Sequence, residues 1–271
     1  MPNHVTNKLI ISGPAAVLSK LEEQVKGPDS CGDDCVFSFN RIKPMPEILK
    51  DLSAGTMLNY AIWLASEQIY QTKVEQDPMA VAVRAMFKSD PMDMLSRFCS
   101  FFECTCATRA EAVEWAKQNK PELLDMGMRS VAGYMEHGAV GWYDWSNANW
   151  GTKWDAYDIS LERKPDGRLV YVFDTAWSPP TPIVEQLMET FPGIGIEHRY
   201  FDEGHCFWGI TVYSADGSIV EYQSQERDRA PLCIELKGYD PSEDEEDGPD
   251  YSFEACSPAI DVSTGVIEHG K

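Results

Sequence analysis

The sequence predicts an α+β fold in which an antiparallel sheet carries helices on one face and is interrupted by a helical insertion. Stretches rich in β-branched and aromatic residues, several of them alternating with polar ones, predict strands near both ends of the core. Between them, residues 46–139 place apolar side chains at helical spacing. A composition of 43% hydrophobic and 25% charged residues is that of a globular chain, so a core can form.

The first elements are a strand, a helix and a second strand. Residues 5–12 are rich in β-branched residues and predict a strand that ends at Gly13-Pro14. Pro14 suits the first turn of a helix, which the apolar spacing extends to residue 26. Residues 36–42 alternate, with Phe37 and Phe39 on one side, and predict another strand. We expect residues 1–45 to form the first part of the core.

The insertion, residues 46–139, is expected to contain about five short helices. Three dipeptides have the form of a helix start with proline in the first turn: Asp77-Pro78, Asp90-Pro91 and Lys120-Pro121. Thr108 followed by Glu111 has the spacing of a capping box, in which the side chains satisfy the free amides of a helix start.

The second part of the core, residues 140–225, returns to strand patterns. Residues 154–161 and 169–174 flank a turn at 165–167 and predict a hairpin. A helix over 179–191 follows, then strands over 195–201, 206–213 and 218–223. With the N-terminal elements this order is β-α-β, insertion, β-β-α-β-β-β, which predicts a ferredoxin-like sheet. Residues 226–271 are expected to be a partly disordered acidic segment, because 240–254 alone holds eight acidic residues.

Charge and hydropathy exclude several classes of function. The formal net charge of −21 repels phosphate backbones and disfavours direct nucleic-acid binding. It favours attraction to basic partners. No apolar stretch approaches the roughly 20 residues of a membrane helix, and the N-terminus has no signal-peptide pattern, so we expect a cytoplasmic protein without membrane contact. The eight cysteines are then expected to be reduced thiols.

The densest candidate site is a tryptophan-rich stretch after residue 142. One interpretation is a pocket on the sheet, lined by Trp150, Trp154 and Trp177. Its polar groups would be Lys153, Asp155 and Asp174. The alternative is that the rings form a large aromatic core over one face of the sheet.

Two further groups have residue types that suit metal binding or proton transfer. Asp202, Glu203 and His205 follow one another closely and suit either role, although a polar turn with Gly204 at positive φ explains them equally. The spacing of Cys31 and Cys35, with His4 as a further ligand, is compatible with zinc, whereas Cys104 and Cys106 are spaced too closely for a zinc pair. We expect no metal and no cofactor.

Four segments resemble a known family: the opening MPNHVTNKL, NWGTKWDAY at 149–157, FDTAWSPP at 173–180 and YFDEG at 200–204. The sequence is similar to a plasmid- and phage-borne family that carries a ferredoxin-like domain and has no assigned activity. The resemblance covers roughly residues 1–45 and 140–224. It implies an origin on a mobile genetic element and the same fold, and it supplies no catalytic residues.

These observations lead to two hypotheses of function. In the first, the protein is not an enzyme and inhibits a host protein, for instance a defence factor, by covering its basic surface with phosphate-like negative charge. Asp202 and Glu203 would contribute to binding together with the tryptophan-rich residues. In the second, the tryptophan-rich pocket serves a small enzyme or ligand-binding protein.

Overall fold

The computed structural model describes residues 3–29, 32–72, 77–78, 80–81, 83, 93–222 and 226–241. The strands are β1 (His4–Ser12), β2 (Gly27–Pro28), β3 (Asp34–Cys35), β4 (Tyr157–Arg163), β5 (Leu169–Ala176), β6 (Gly195–Asp202), β7 (Trp208–Tyr213) and β8 (Ile219–Tyr222). The helices are α1 (Ala15–Val25), α2 (Phe39–Ile42), α3 (Thr56–Thr72), α4 (Met94–Phe101), α5 (Arg109–Asn119), α6 (Pro121–His137), α7 (Trp142–Trp150), α8 (Thr181–Thr190) and α9 (Glu226–Lys237). A short 3₁₀ helix covers Glu47–Leu49.

Six strands form an antiparallel sheet in the order β4-β5-β1-β6-β7-β8. The first strand is central: β1 pairs with β5 on one side and with β6 on the other. Strands β5 and β6 are therefore parallel to each other, and α8 connects them across β1. This split βαβ unit, together with the antiparallel sheet, confirms the predicted α+β, ferredoxin-like class.

The inner face of the sheet holds the main core. Side chains alternate along β1, so Leu9 and Ile11 point inward, where they pack with α1 and α8 residues such as Leu21 and Leu187. Phe37, Phe39, Tyr171 and Phe173 add an aromatic layer in which neighbouring ring centroids lie 4.8–5.9 Å apart.

The outer face is partly covered by α9, a helix that the sequence pattern did not predict. Leu232 and Cys233 of this helix pack against Phe201 and Trp208. Glu235 accepts from Lys8 at 2.6 Å and from Arg199 at 2.5 Å, which ties the helix to β1 and β6. The segment after residue 225 therefore begins with a docked helix. The acidic stretch beyond residue 241 lies outside the described residues.

Local predictions failed where tertiary packing overrides sequence alternation. Residues 36–42 were expected to be a strand, but Phe39–Ile42 is helical and Phe37 and Phe39 are both buried. Trp142–Trp150 is a helix although strand patterns were expected from residue 140. Strand β4 begins at Tyr157 rather than at residue 154.

The helical region between the two parts of the core has its own aromatic cluster. Tyr60, Trp63, Phe98 and Val113 are buried there against one another. The capping box at the start of α5 forms as expected: the Glu111 amide donates to Thr108 Oγ1 at 3.2 Å. Helix α6 begins at Pro121, also as expected, whereas Asp90-Pro91 lies outside the described residues.

Candidate functional site

One end of the sheet gathers the polar and aromatic side chains that sequence reasoning singled out. Antiparallel pairing aligns the start of β1 with the ends of β5 and β6, with His4 opposite Ala176 and Val5 opposite Asp202. It also pairs Tyr157, the first residue of β4, with Asp174. We call the exposed or half-buried residues here the sheet-end surface: His4, Lys153, Trp154, Tyr157, Asp158, Asp174, Trp177 and Glu203.

His4 connects three parts of this surface. Its amide donates to Glu203 Oε1 at 2.7 Å, and the Glu203 amide donates to the His4 carbonyl at 3.0 Å. Lys237 at the end of α9 donates to the same carbonyl at 3.1 Å. The His4 ring nitrogen Nδ1 lies 2.7 Å from the Tyr157 hydroxyl. The N-terminal strand therefore fixes the positions of an acid, a phenol and a helix end.

Tyr157 keeps its proton at neutral pH. Burial raises the pKa of the phenol, and the charges of Asp174, Glu203 and Asp158 raise that pKa further. Such a hydroxyl donates and accepts hydrogen bonds but is a poor base or nucleophile. Asp174 itself accepts from Thr6 Oγ1 at 2.6 Å.

Two tryptophans stand at the rim of this surface with large exposed fractions. Trp154 is 38% exposed and Trp177 is 48% exposed. The Lys153 ammonium lies 4.7 Å from the centroid of the Trp154 ring, in a cation–π contact, and the ring meets Tyr157 edge-on at 6.3 Å. Exposed aromatic rings beside carboxylates are suited to recognising a partner.

The loops that carry the two tryptophans are held together by their neighbours. Thr152 Oγ1 donates to the Ala176 carbonyl at 2.8 Å, and Ser178 Oγ donates to the Gly151 carbonyl at 2.5 Å. The Trp177 amide donates to the Asn3 carbonyl at 3.0 Å, and Trp177 has a φ of 76°, a left-handed conformation that a bulky residue rarely adopts. The fold therefore keeps an unfavourable backbone geometry that presents Trp177 to solvent.

Trp150 lies in the core rather than in a pocket. It is 1% exposed and packs edge-on against Phe39 and Trp145. Its indole N–H donates to the Lys43 carbonyl at 2.9 Å. The aromatic-core interpretation therefore describes Trp150, whereas Trp154 and Trp177 lie outside the core.

Asp155 is likewise buried, at 5% exposure, and joins the second part of the core to the first. Its carboxylate accepts from the Phe39 amide at 2.6 Å, from Ser38 Oγ at 3.0 Å and from the Ala156 amide at 2.9 Å. Burial raises the pKa of Asp155, while these hydrogen bonds oppose the rise. The side chain thus has a structural role and does not converge with Asp174.

The turn after β6 also differs from expectation. Asp202 is buried and accepts from the Cys206 amide at 3.2 Å, and burial raises its pKa. Gly204 was expected at positive φ, but His205 has that conformation, with φ of 58°. A Cβ at Gly204 would lie 2.6 Å from Asn3 Nδ2, so close packing explains this glycine.

The residues whose types suited metal binding make other contacts. The ring nitrogens of His205 lie 2.7 Å from the Tyr239 hydroxyl and 3.1 Å from Arg229. Cys35 donates to the Phe37 carbonyl at 3.2 Å, and Cys31 lies outside the described residues. Cys206 is disulfide-bonded, contrary to the expectation of reduced thiols, whereas the free thiols are those of Cys35, Cys99, Cys104, Cys106 and Cys233.

Sequence reasoning missed His4 as part of the surface, and it missed Thr6 and Lys237 as the residues that bind Asp174 and His4. Their contribution depends on strand register and on a helix far along the chain, which no local pattern encodes. An open depression of about 440 Å³ lies at the opposite end of the sheet, lined by Ile10, Arg168, Glu197 and others. None of the residues expected to bind a ligand lines it.

The fold and the sheet-end surface define an α+β protein with a ferredoxin-like domain that ends in a rim of aromatic and acidic side chains. Residues 156–247, about a third of the chain, match the family model described as the ferredoxin-like domain in Api92-like protein. This confirms similarity to a family that carries such a domain and has no assigned activity.

Among solved structures, the chain is similar to the crystal structure of a protein Api92 from Yersinia pseudotuberculosis. The two are 12% identical, with a TM-score of 0.39, and the alignment covers 83% of this chain and 99% of that one. No curated protein matches the chain. Among the described residues, every helix is too short or too polar to span a membrane.

Proposed function

We propose that the protein is a binding protein rather than an enzyme, and that its sheet-end surface attaches to a basic patch of another protein. The observation that carries the proposal is the exposure of Trp154 and Trp177 beside Asp174 and Glu203. Aromatic faces attract Arg and Lys side chains, and carboxylates add charge-assisted hydrogen bonds.

The overall charge also favours a basic partner. A chain of net charge −21 attracts a basic partner over long distances and accelerates encounter. Aromatic residues then supply the short-range affinity, since they dominate the energetics of most interfaces. The net charge thus governs the rate of association, and the aromatic rim governs the lifetime of the complex.

The proposal also covers the identity of the partner. The resemblance to a plasmid- and phage-borne family supports a host protein as the target, such as a cytoplasmic defence factor with a basic surface. Binding there would block the factor's own contact with nucleic acid without any contact between this protein and nucleic acid.

A comparison of matched variants tests the proposal. Immobilised wild-type chain should retain a basic protein from a host lysate at low salt and release it at about 1 M salt, where the Debye length falls to about 3 Å. The double variant Trp154→Ala/Trp177→Ala should lose that protein. The control Phe101→Ala/Tyr143→Ala removes aromatic residues of similar exposure, 51% and 39%, and should retain it. Equal retention by the two double variants would refute the sheet-end surface as the binding site.

A further inference from the structure

Three cysteine thiols converge in the helical region, and none of them belongs to the sheet-end surface. Cys99 lies in the last turn of α4, and Cys104 and Cys106 lie in the loop that follows. Their sulfur atoms all lie within 4.8 Å of one another, and each cysteine is a free, half-buried thiol. Within the described part of the chain, no other group of three potential metal-ligand atoms converges in this way.

The end of α4 explains how the first two thiols meet. Phe102 is the C-terminal cap, and Glu103 follows in the left-handed conformation with φ of 51°. The Cys104 amide then donates to the Cys99 carbonyl at 3.0 Å. This is the hydrogen bond of a Schellman motif, which brings the side chains at these two positions into contact.

The third thiol is fixed by the start of the next helix. The Cys99 sulfur lies 3.8 Å from the carbonyl oxygen of Cys106. One residue later, the Ala107 amide donates to Glu111 Oε2 at 2.9 Å, so a side chain in the first turn of α5 anchors the loop. The loop is therefore held at both ends, and the three thiols are positioned by backbone geometry.

We propose that Cys99, Cys104 and Cys106 form a metal site that binds one Zn²⁺ through three thiolates, with the fourth position open to water. Tetrahedral zinc with bonds of about 2.3 Å places its sulfur ligands roughly 3.8 Å apart, so the thiols need to approach by at most about 1 Å. Three sulfur ligands select zinc and other thiophilic ions and exclude Mg²⁺ and Ca²⁺, which require oxygen ligands.

Without a cation, the thiols of Cys104 and Cys106 resist ionisation. Burial raises the pKa of Cys104 to about 12, and the neighbouring Cys106 thiol contributes to the rise. Burial likewise raises the pKa of Cys106. A divalent cation compensates the mutual repulsion of the thiolates, so its binding releases their protons. Sequence reasoning missed this site because it tested Cys104 against Cys106 and not against Cys99, from which four residues separate it.

The alternative is that the cysteines are only small apolar side chains at the edge of the aromatic cluster. They do contact that cluster, which contains Phe98 and Trp115. Packing alone accounts for the burial of these side chains, but it does not require that their three sulfur atoms lie close together. A measurement of metal binding by the reduced full-length chain separates the two cases.

Titration with Co²⁺, a spectroscopic substitute for Zn²⁺, is the direct test. The reduced, metal-free full chain should bind one Co²⁺ with strong thiolate-to-cobalt charge-transfer absorption, and Zn²⁺ should displace it. Cys99→Ser, Cys104→Ser and Cys106→Ser should each weaken binding at least about tenfold. Cys35→Ser and Cys206→Ser should bind as the wild type does. Absence of the absorption, or its persistence in the Cys104→Ser variant, would overturn the proposal.

Alkylation of the wild-type chain provides a test that does not depend on variants folding. With Zn²⁺ present, modification of Cys99, Cys104 and Cys106 should slow at least about tenfold, because the metal occupies their sulfur lone pairs. Modification of Cys35, also half-buried, should keep its rate. Equal slowing at Cys35, or no slowing at the three, would contradict a site at these residues.

Discussion

At the scale of single residues, burial distinguishes tryptophans that the sequence could not distinguish. Trp150 and Trp154 are four positions apart in the same motif, yet one is 1% and the other 38% exposed. Trp150→Ala should lower the free energy of unfolding by about 3–5 kcal/mol, as expected for a buried aromatic residue. Trp154→Ala should cost less than about 1 kcal/mol. Denaturant unfolding of both variants checks this, and equal losses would contradict the assignment of Trp154 to the surface.

His198 makes stability depend on pH. It is buried on the inner face, where its Nε2 donates to Asn7 Oδ1 at 3.0 Å, and burial lowers its pKa to about 3. In the unfolded chain histidine binds a proton near pH 6.5. As pH falls below 6.5 the unfolded state gains a proton that the folded state does not bind. The free energy of unfolding should therefore fall by about 1.4 kcal/mol per pH unit down to about pH 3.

The variant His198→Gln isolates this effect. Glutamine retains a donor for Asn7 but does not titrate. Between pH 7 and pH 5 the variant should lose about 2 kcal/mol less stability than the wild type, whatever its stability at pH 7. Urea unfolding at the two pH values measures the difference. Parallel losses in the two proteins would show that His198 is protonated in the folded state.

At the scale of elements, α3 and α6 are packed too closely to accept a side chain at their crossing. A Cβ at Gly127 would overlap the carbonyl oxygen of Ala61 and lie 2.8 Å from Cβ of Ala65. Gly127→Ala should destabilise the protein by about 1–3 kcal/mol, although alanine favours helices. Gly133→Ala, which would meet mainly the movable end of Leu49, should cost less in the same thermal unfolding assay. The reverse order would mean that the helices separate easily.

The strands were predicted well because a strand with one buried face alternates β-branched or aromatic residues with polar ones. Elements β1, β5, β6 and β7 lie close to the expected ranges. The failures have a common physical cause. Phe39 in α2 and Trp150 in α7 are large residues that tertiary packing buries, and short apolar runs have no distinct period. Helix α9 was missed because Pro231 and charged residues interrupt its apolar positions.

The sequence predicted which types of residue form the candidate site better than it predicted how they are arranged. Trp154, Asp174, Trp177 and Glu203 do lie at one end of the sheet. Asp155 and Trp150 do not, because they bind the backbone of residues more than 100 positions earlier. These two side chains are polar or aromatic because they form hydrogen bonds within the core. The sequence does not show which residues are their partners, because those residues are distant along the chain.

At the scale of the whole molecule, two truncations test how far the folded body extends along the C-terminal segment. Tyr239 contacts His205, so the body extends beyond the end of α9. A chain ending at residue 241 should keep the wild-type unfolding midpoint, whereas one ending at residue 225 should bind hydrophobic dyes because Phe201 and Trp208 lose their cover. Unfolding measurements on both truncations test this. A large loss of stability in the longer truncation would show that residues beyond 241 dock onto the body.

The central position of β1 has a consequence for synthesis of the protein. This strand is made before its partners, Leu169–Ala176 and Gly195–Asp202, which appear more than 150 residues later. At about 5–20 residues per second, β1 waits for roughly ten seconds or more with both edges unpaired. The helical region, whose contacts are local, can form in that interval. The nascent chain is therefore exposed to aggregation at β1 during that interval, and chaperones that bind near the ribosome should recognise this strand.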